Sequence, residues 1–124
     1  MENPNPNYVT MVPPNTVYMN VLLDVIQNVN FTETVHVLYD DSYPSPTTDP
    51  KPMWVEMMSR VPKINFIYEE MNTNESLIGN QISALKAKPS VKTLLLMGKT
   101  LNIEQFLAQS NDESGRFQWF AMTQ

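Results

Sequence analysis

Residues 91–107 read VKTLLLMGKTLNIEQFL, and the reading of this stretch decides the fold. Leu94-Leu95-Leu96-Met97 is a continuous apolar run of strand length. Strict alternation would mark a sheet with one wet face. An unbroken run marks a strand covered on both faces, the usual condition of a central parallel strand. Gly98-Lys99-Thr100 breaks the run, with Thr100 expected as a helix N-cap. Ile103, Phe106 and Leu107 then recur at helical spacing. A buried strand feeding an amphipathic helix is half of a βαβ unit.

Outward from this stretch the alternation repeats. Ile78, Ile82 and Leu85 supply the buried stripe of a helix that is over by Pro89. Before it, 64–68 (INFIY) reads as a strand and Glu69 to Ser76 as a polar connection. Trp54, Met57, Met58 and Val61 mark a short helix ended by Pro62. Pro44, Pro46, Pro50 and Pro52 make 44–52 a loop, because proline this dense blocks helix and ladder alike. Residues 34–39 (TVHVLY) form a β-branched run closed by the turn chemistry of Asp40-Asp41-Ser42. Val17, Val21, Leu22, Val25, Ile26 and Val29 keep one helical face apolar, with Asn15 as N-cap. Residues 8–12 are a short β-prone run stopped by Pro13-Pro14, behind a polar lead-in. Past Leu107, 111–115 reads as a turn and 117–122 (FQWFAM) as the last strand.

The order is a strand, then helix–strand four times over. It predicts an α/β fold in three layers, a parallel sheet with helices on both faces. Right-handed crossovers put 64–68 on one side of 35–39 and 91–97 on the other. A chain that stops directly after a strand, and opens on one set apart by two prolines, is expected to be part of a larger protein. The 8–12 run would then serve another lobe.

Composition narrows the function classes. The chain has 124 residues, 42% hydrophobic and 17% charged, which suits one globular domain and not a disordered one. Eight Lys and Arg against 13 Asp and Glu give a net charge of -5 and argue against nucleic acid as a partner. The absence of Cys excludes disulfides, zinc–thiolate sites and thiol nucleophiles. No apolar run approaches the ~20 residues of a membrane-spanning helix, and the first 20 residues show no signal peptide.

In open parallel sheets, ligands sit beyond the carboxyl ends of the strands. That rule nominates Asp40, Asp41, Ser42 and Tyr43, then Glu69 and Glu70, then Gly98, Lys99 and Thr100, and finally Thr123. Asp40-Asp41 with Lys99 has a surface likeness to a phospho-acceptor receiver. The middle strand, however, ends Met97-Gly98 where a nucleophilic Asp would stand. Capping of turn N–H groups is the better reading of the acidic pair. Gly98-Lys99-Thr100 looks like the tail of a phosphate-binding loop but lacks the upstream Gly, so it reads as a strand–helix turn. His36, between Val35 and Val37, has no acid at triad or metal-ligand spacing and is expected on a sheet face. No catalytic residue, metal ligand or cofactor site is predicted. Asn30-Phe31-Thr32 and Asn74-Glu75-Ser76 are N-glycosylation sequons in connecting segments, which suits a secreted or ectodomain setting.

The run YVTMVPPNTVYMNVLLDVIQNVNFTETVHVLYDDSY (8–43) resembles the crossing between lobes in the amino-terminal domains of ionotropic glutamate receptors. A strand there ends at a paired-proline hinge, a helix follows, and the next strand closes with a Tyr-Asp pair. The closing stretch TLLLMGKTLNIEQFLAQSNDESGRFQWFAMTQ is similar too. The closest likeness is to the co-receptor subunits of the arthropod variant ionotropic receptors. The likeness covers most of the chain apart from 44–52, which reads as an insertion.

This resemblance implies one lobe of a periplasmic-binding-protein-like (type I) domain. Residues 1–14 would be lead-in and interlobe hinge, with Pro13 and Pro14 as its joint, and 15–124 would be lobe two. It implies a place on the extracellular face of the plasma membrane within a ligand-gated cation channel. Sister receptor subunits would be the partners, and Asn30 and Asn74 would be glycosylated. It also implies a possible small-molecule cleft between lobes, lined from this side by Asp41, Ser42, Tyr43, Gly98 and Lys99. Pro44 stands where the family carries Gly, so an assembly surface is expected ahead of a sensory pocket. A ligand-binding lobe, and a free-standing flavodoxin-like or receiver-like protein, are the alternative expectations.

Overall fold

The computed structural model describes residues 10–11, 16–29, 33–111 and 115–123. The elements run β1 (Thr10–Met11), α1 (Thr16–Val29), β2 (Thr34–Tyr39), α2 (Met53–Ser59), β3 (Asn65–Glu70), α3 (Glu75–Lys86), β4 (Thr93–Gly98), α4 (Thr100–Ser110) and β5 (Gln118–Thr123). The expected alternation is present at every step. All strands pair in parallel in one sheet of order β1-β5-β4-β2-β3. β2 therefore lies between β3 and β4, as the crossover argument predicts.

The unbroken apolar run of β4 is explained by two cores, one on each face of the sheet. Leu94 and Leu96 join Leu38, Ile78, Ile82, Leu85, Ile103 and Phe106 under α3 and α4. Leu95 and Met97 join Leu22, Ile26, Val35, Val37, Trp54 and Met58 under α1 and α2. Side chains alternate across a strand, so a strand feeding both cores must be apolar at every position. Every residue of β4 and β5 is buried.

Three expectations need correction. Glu69 and Glu70 are strand residues, not connection: β3 keeps its register to the pair Tyr39–Glu70. β3 closes the sheet order, and an edge strand keeps one side in water, where glutamates are tolerated. Thr100 is the first residue of α4 and Lys99 is its N-cap, with no side-chain capping bond of its own. Thr10 and Met11, the described residues of the 8–12 run, do not stand apart from this sheet: they pair with Ala121 and Met122 and extend it beyond β5. Pro13, Pro14, Asn15 and Asn30 lie outside the described residues.

Candidate functional site

The chain turns in opposite directions from β2, to β3 on one side and through β4 to β5 on the other. The crevice between the carboxyl ends of β2 and β4 is therefore the switch point where ligands bind in sheets of this kind. Asp40 follows β2 there and Gly98 ends β4.

Asp40 is buried, at 2% exposure, and all its carboxylate contacts are internal. Oδ1 accepts from the Ser42 N–H at 2.8 Å and from the Ser42 hydroxyl. Oδ2 accepts from the Lys99 N–H at 2.7 Å and from Asn102 Nδ2 at 2.8 Å. The Asp40 N–H itself donates to Met97 O at 3.1 Å. Burial alone would raise the carboxyl pKa, but the bonds from Ser42, Asn102 and Lys99 outweigh it and hold Asp40 below the usual carboxylate range. A negative group beside the first turn of α4 also meets the positive end of its dipole. Asp40 thus caps the helix that Lys99 leaves uncapped. The turn-capping reading of the acidic pair holds for Asp40.

Gly98 is required by this arrangement. A Cβ there would lie 2.8 Å from Asp40 Oδ1 and closer still to Oδ2 and Cγ. The floor of the crevice is filled by the chain's own carboxylate packed on a bare Cα.

The other nominated residues divide. Asp41 and Lys99 come together in solvent, Nζ to Oδ1 at 3.2 Å with both side chains largely exposed, a pair of little energetic weight. Ser42 serves Asp40. Tyr43 turns inward: it is buried, its hydroxyl reaches Met122 O at 3.4 Å, and its ring meets Trp54 edge-on at 5.9 Å. Burial, and then the Asp40 charge, push its phenol up. That ring belongs to the core, not to a cleft. Thr123 is also buried, and its hydroxyl has no hydrogen-bond partner among the described residues. Glu69 and Glu70 are tied to α3 through Gln81, whose Nε2 donates to Glu69 Oε2 and to Glu70 O at 2.9 Å.

Asn102 and Gln81 were not nominated. The only available signal was a polar residue beside the apolar stripe of each helix. Thr73, Thr100, Leu101 and Asn102 surround the Asp41–Lys99 pair in an open recess of about 470 Å³. A second recess of about 500 Å³ lies between α1 and α2, lined by Leu23, Met53, Met57, Val61 and Pro62 among others.

His36 occupies a sheet face, as expected, at 8% exposure; burial and then the Lys88 charge lower its pKa, against a smaller opposing effect of Glu69. Asn74 is exposed and caps α3, its Oδ1 accepting from the Ser76 N–H at 3.0 Å. Among the described residues no group of three or more His, Cys, Asp or Glu is placed to hold a metal ion. No helix among them is long and apolar enough to cross a membrane. No protein-family model matches the chain, and no curated protein matches it either.

Proposed function

We propose that this chain is one lobe of the extracellular amino-terminal domain of an ionotropic receptor, serving subunit assembly and modulation. The single observation that carries the reading is the closed floor of the switch point. Asp40 fills, with four internal hydrogen bonds, the floor of the crevice a ligand would take. A lobe that closes this floor with its own carboxylate works through its outer surface. That surface carries exposed apolar side chains on the helices: Val21 and Val29 on α1, Met53 on α2, Leu77 on α3 and Leu101 on α4. The exposed sequon at Asn74 suits the extracellular setting.

The test is association of the complete two-lobed domain, by sedimentation equilibrium, alone and with sister subunits. A domain that stays monomeric at high concentration and pairs with no sister subunit sinks the assembly role.

One observation favours a second reading, a small-molecule lobe: the open recess around the Asp41–Lys99 pair offers an ammonium and a carboxylate to a zwitterionic ligand such as an amino acid. Lys99→Ala tests it better than Tyr43→Ala, because Tyr43 is a core residue. Absence of heat on calorimetric titration of the unmodified two-lobed domain with amino acids and amines would remove this reading.

A further inference from the structure

The recess between α1 and α2 has a volume of about 500 Å³, within the range of small-ligand sites. We propose that it binds an arylalkylamine in its ammonium form, a cation joined by a short chain to an aromatic ring. The inference goes beyond the assembly reading and does not depend on it.

The helices give the first part of the argument. α1 and α2 each connect two parallel strands, so both run back from the carboxyl to the amino ends of the sheet, in the same direction. Asn20, Leu23, Asp24 and Gln27 line the recess from α1 at i, i+3, i+4 and i+7, and Met53, Glu56, Met57 and Arg60 repeat that spacing from α2 and its C-cap. Each set is therefore one helix flank turned toward the other. Leu23, 4% exposed, gives the recess an apolar floor, and Met57 and Val61 pack against the same core from the α2 side.

The charges give the second part. Glu56 is already held: Arg60 Nη2 donates to its Oε1 at 2.8 Å. Asp24 has no such partner, and among the described residues its carboxylate takes part in no ion pair or hydrogen bond. A free negative charge thus borders an apolar floor. An ammonium is attracted to it, and an anion is repelled by it and by Glu56. Met53 and Met57, one helical turn apart, offer two thioethers to the rest of the ligand. Sulfur makes favourable contacts with aromatic rings, and an unbranched side chain can shift to admit one. The carboxylate selects the cation and the two methionines select the ring.

Titration of the chain with phenethylamine, followed by amide chemical shifts, tests this, with phenethyl alcohol and hydrocinnamate as neutral and anionic probes of similar size. The expected result is saturable shifts confined to 20–27 and 53–62, with affinity falling from amine to alcohol to acid. Asp24→Asn should weaken amine binding about three- to fivefold, the weight of one exposed ion pair, and leave the alcohol unchanged. Met53→Ser changes an exposed side chain and should weaken amine and alcohol alike. Equal affinity for the three probes overturns the proposal, as does an undiminished preference for the amine in Asp24→Asn. The absence of a saturable shift at millimolar ligand overturns it too. Shifts centred on Asp41 and Lys99 overturn it by giving the amine to the other recess. A ligand-free dimer, seen by sedimentation equilibrium and protecting 20–27 and 53–62 from amide exchange, overturns it by giving this face to a second copy.

Discussion

A methyl group added to Gly98 has no room, because the Asp40 carboxylate rests on the bare Cα. Gly98→Ala must push that carboxylate away from the Lys99 N–H and Asn102, and should cost about 2–4 kcal/mol. Asp40→Ala leaves the same donors unpaired and should cost about 3 kcal/mol. Because both changes break one contact, the double variant should lose at least about 1 kcal/mol less than the sum, read from urea midpoints. Strictly additive losses would show that the two residues act separately. The titratable groups separate by pH. Asp40 has a folded-state pKa below its ordinary value, so its contribution is intact above about pH 4 and is lost only as pH falls further. His36 is also lowered, from an ordinary value of 6.5, by burial and by Lys88. For a histidine this means the folded state resists the proton, so stability is full above 6.5 and declines as pH falls below it. The urea midpoint should therefore drop between about pH 6.5 and pH 5, where Asp40 is silent, and His36→Leu should flatten that drop. An equal drop in the variant would assign the slope to other groups.

At the scale of elements, α2 is the piece least able to stand alone: seven residues are too few to persist without packing. Trp54 holds it. Its ring meets Tyr39, Tyr43 and Tyr68 at 5.8, 5.9 and 5.5 Å, and its Nε1 donates to Pro44 O at 3.1 Å. Trp54→Ala should cost about 3–5 kcal/mol and speed amide exchange in α2 and 44–52 before the sheet is affected. Uniform acceleration would mean that α2 is no separate unit. The elements were largely legible in sequence because each has a local cause: β-branched residues at 34–39, prolines at 44–52, apolar spacing in α3 and α4. The edge status of β3 was implied by its strand order, but two successive glutamates obscured where it ends. The site was legible only in outline. Asp40 and Asn102 are 62 positions apart, and no spacing rule says that one will reach the other. Tyr43 was misplaced for the same reason: a residue after a strand end can turn outward to a cleft or inward to a tryptophan, and tertiary packing decides.

At the scale of the whole molecule, the sheet divides two cores that share no helix, so it is fair to ask whether they fold together. Consecutive residues of β4 answer it. Leu95 lies with Val37, Phe120 and the α1–α2 side chains, while Leu96 lies with Leu38, Ala121 and the α3–α4 side chains. Both are completely buried. Each truncation to Ala should cost about 2–5 kcal/mol, since the rigid sheet limits collapse around the cavity. If the backbone ladder from β3 through β2 and β4 to β5 couples the two faces, neither core can melt while the strands between them stay paired. Leu95→Ala and Leu96→Ala should then shift one common urea transition, followed by Trp54 on one face and Trp119 on the other, with unchanged slope. Fluorescence from single-tryptophan versions would separate the faces. Different midpoints for Trp54 and Trp119 in either variant would mean that each face has its own stability. The sheet would then be a partition between two folding units and not the spine of one.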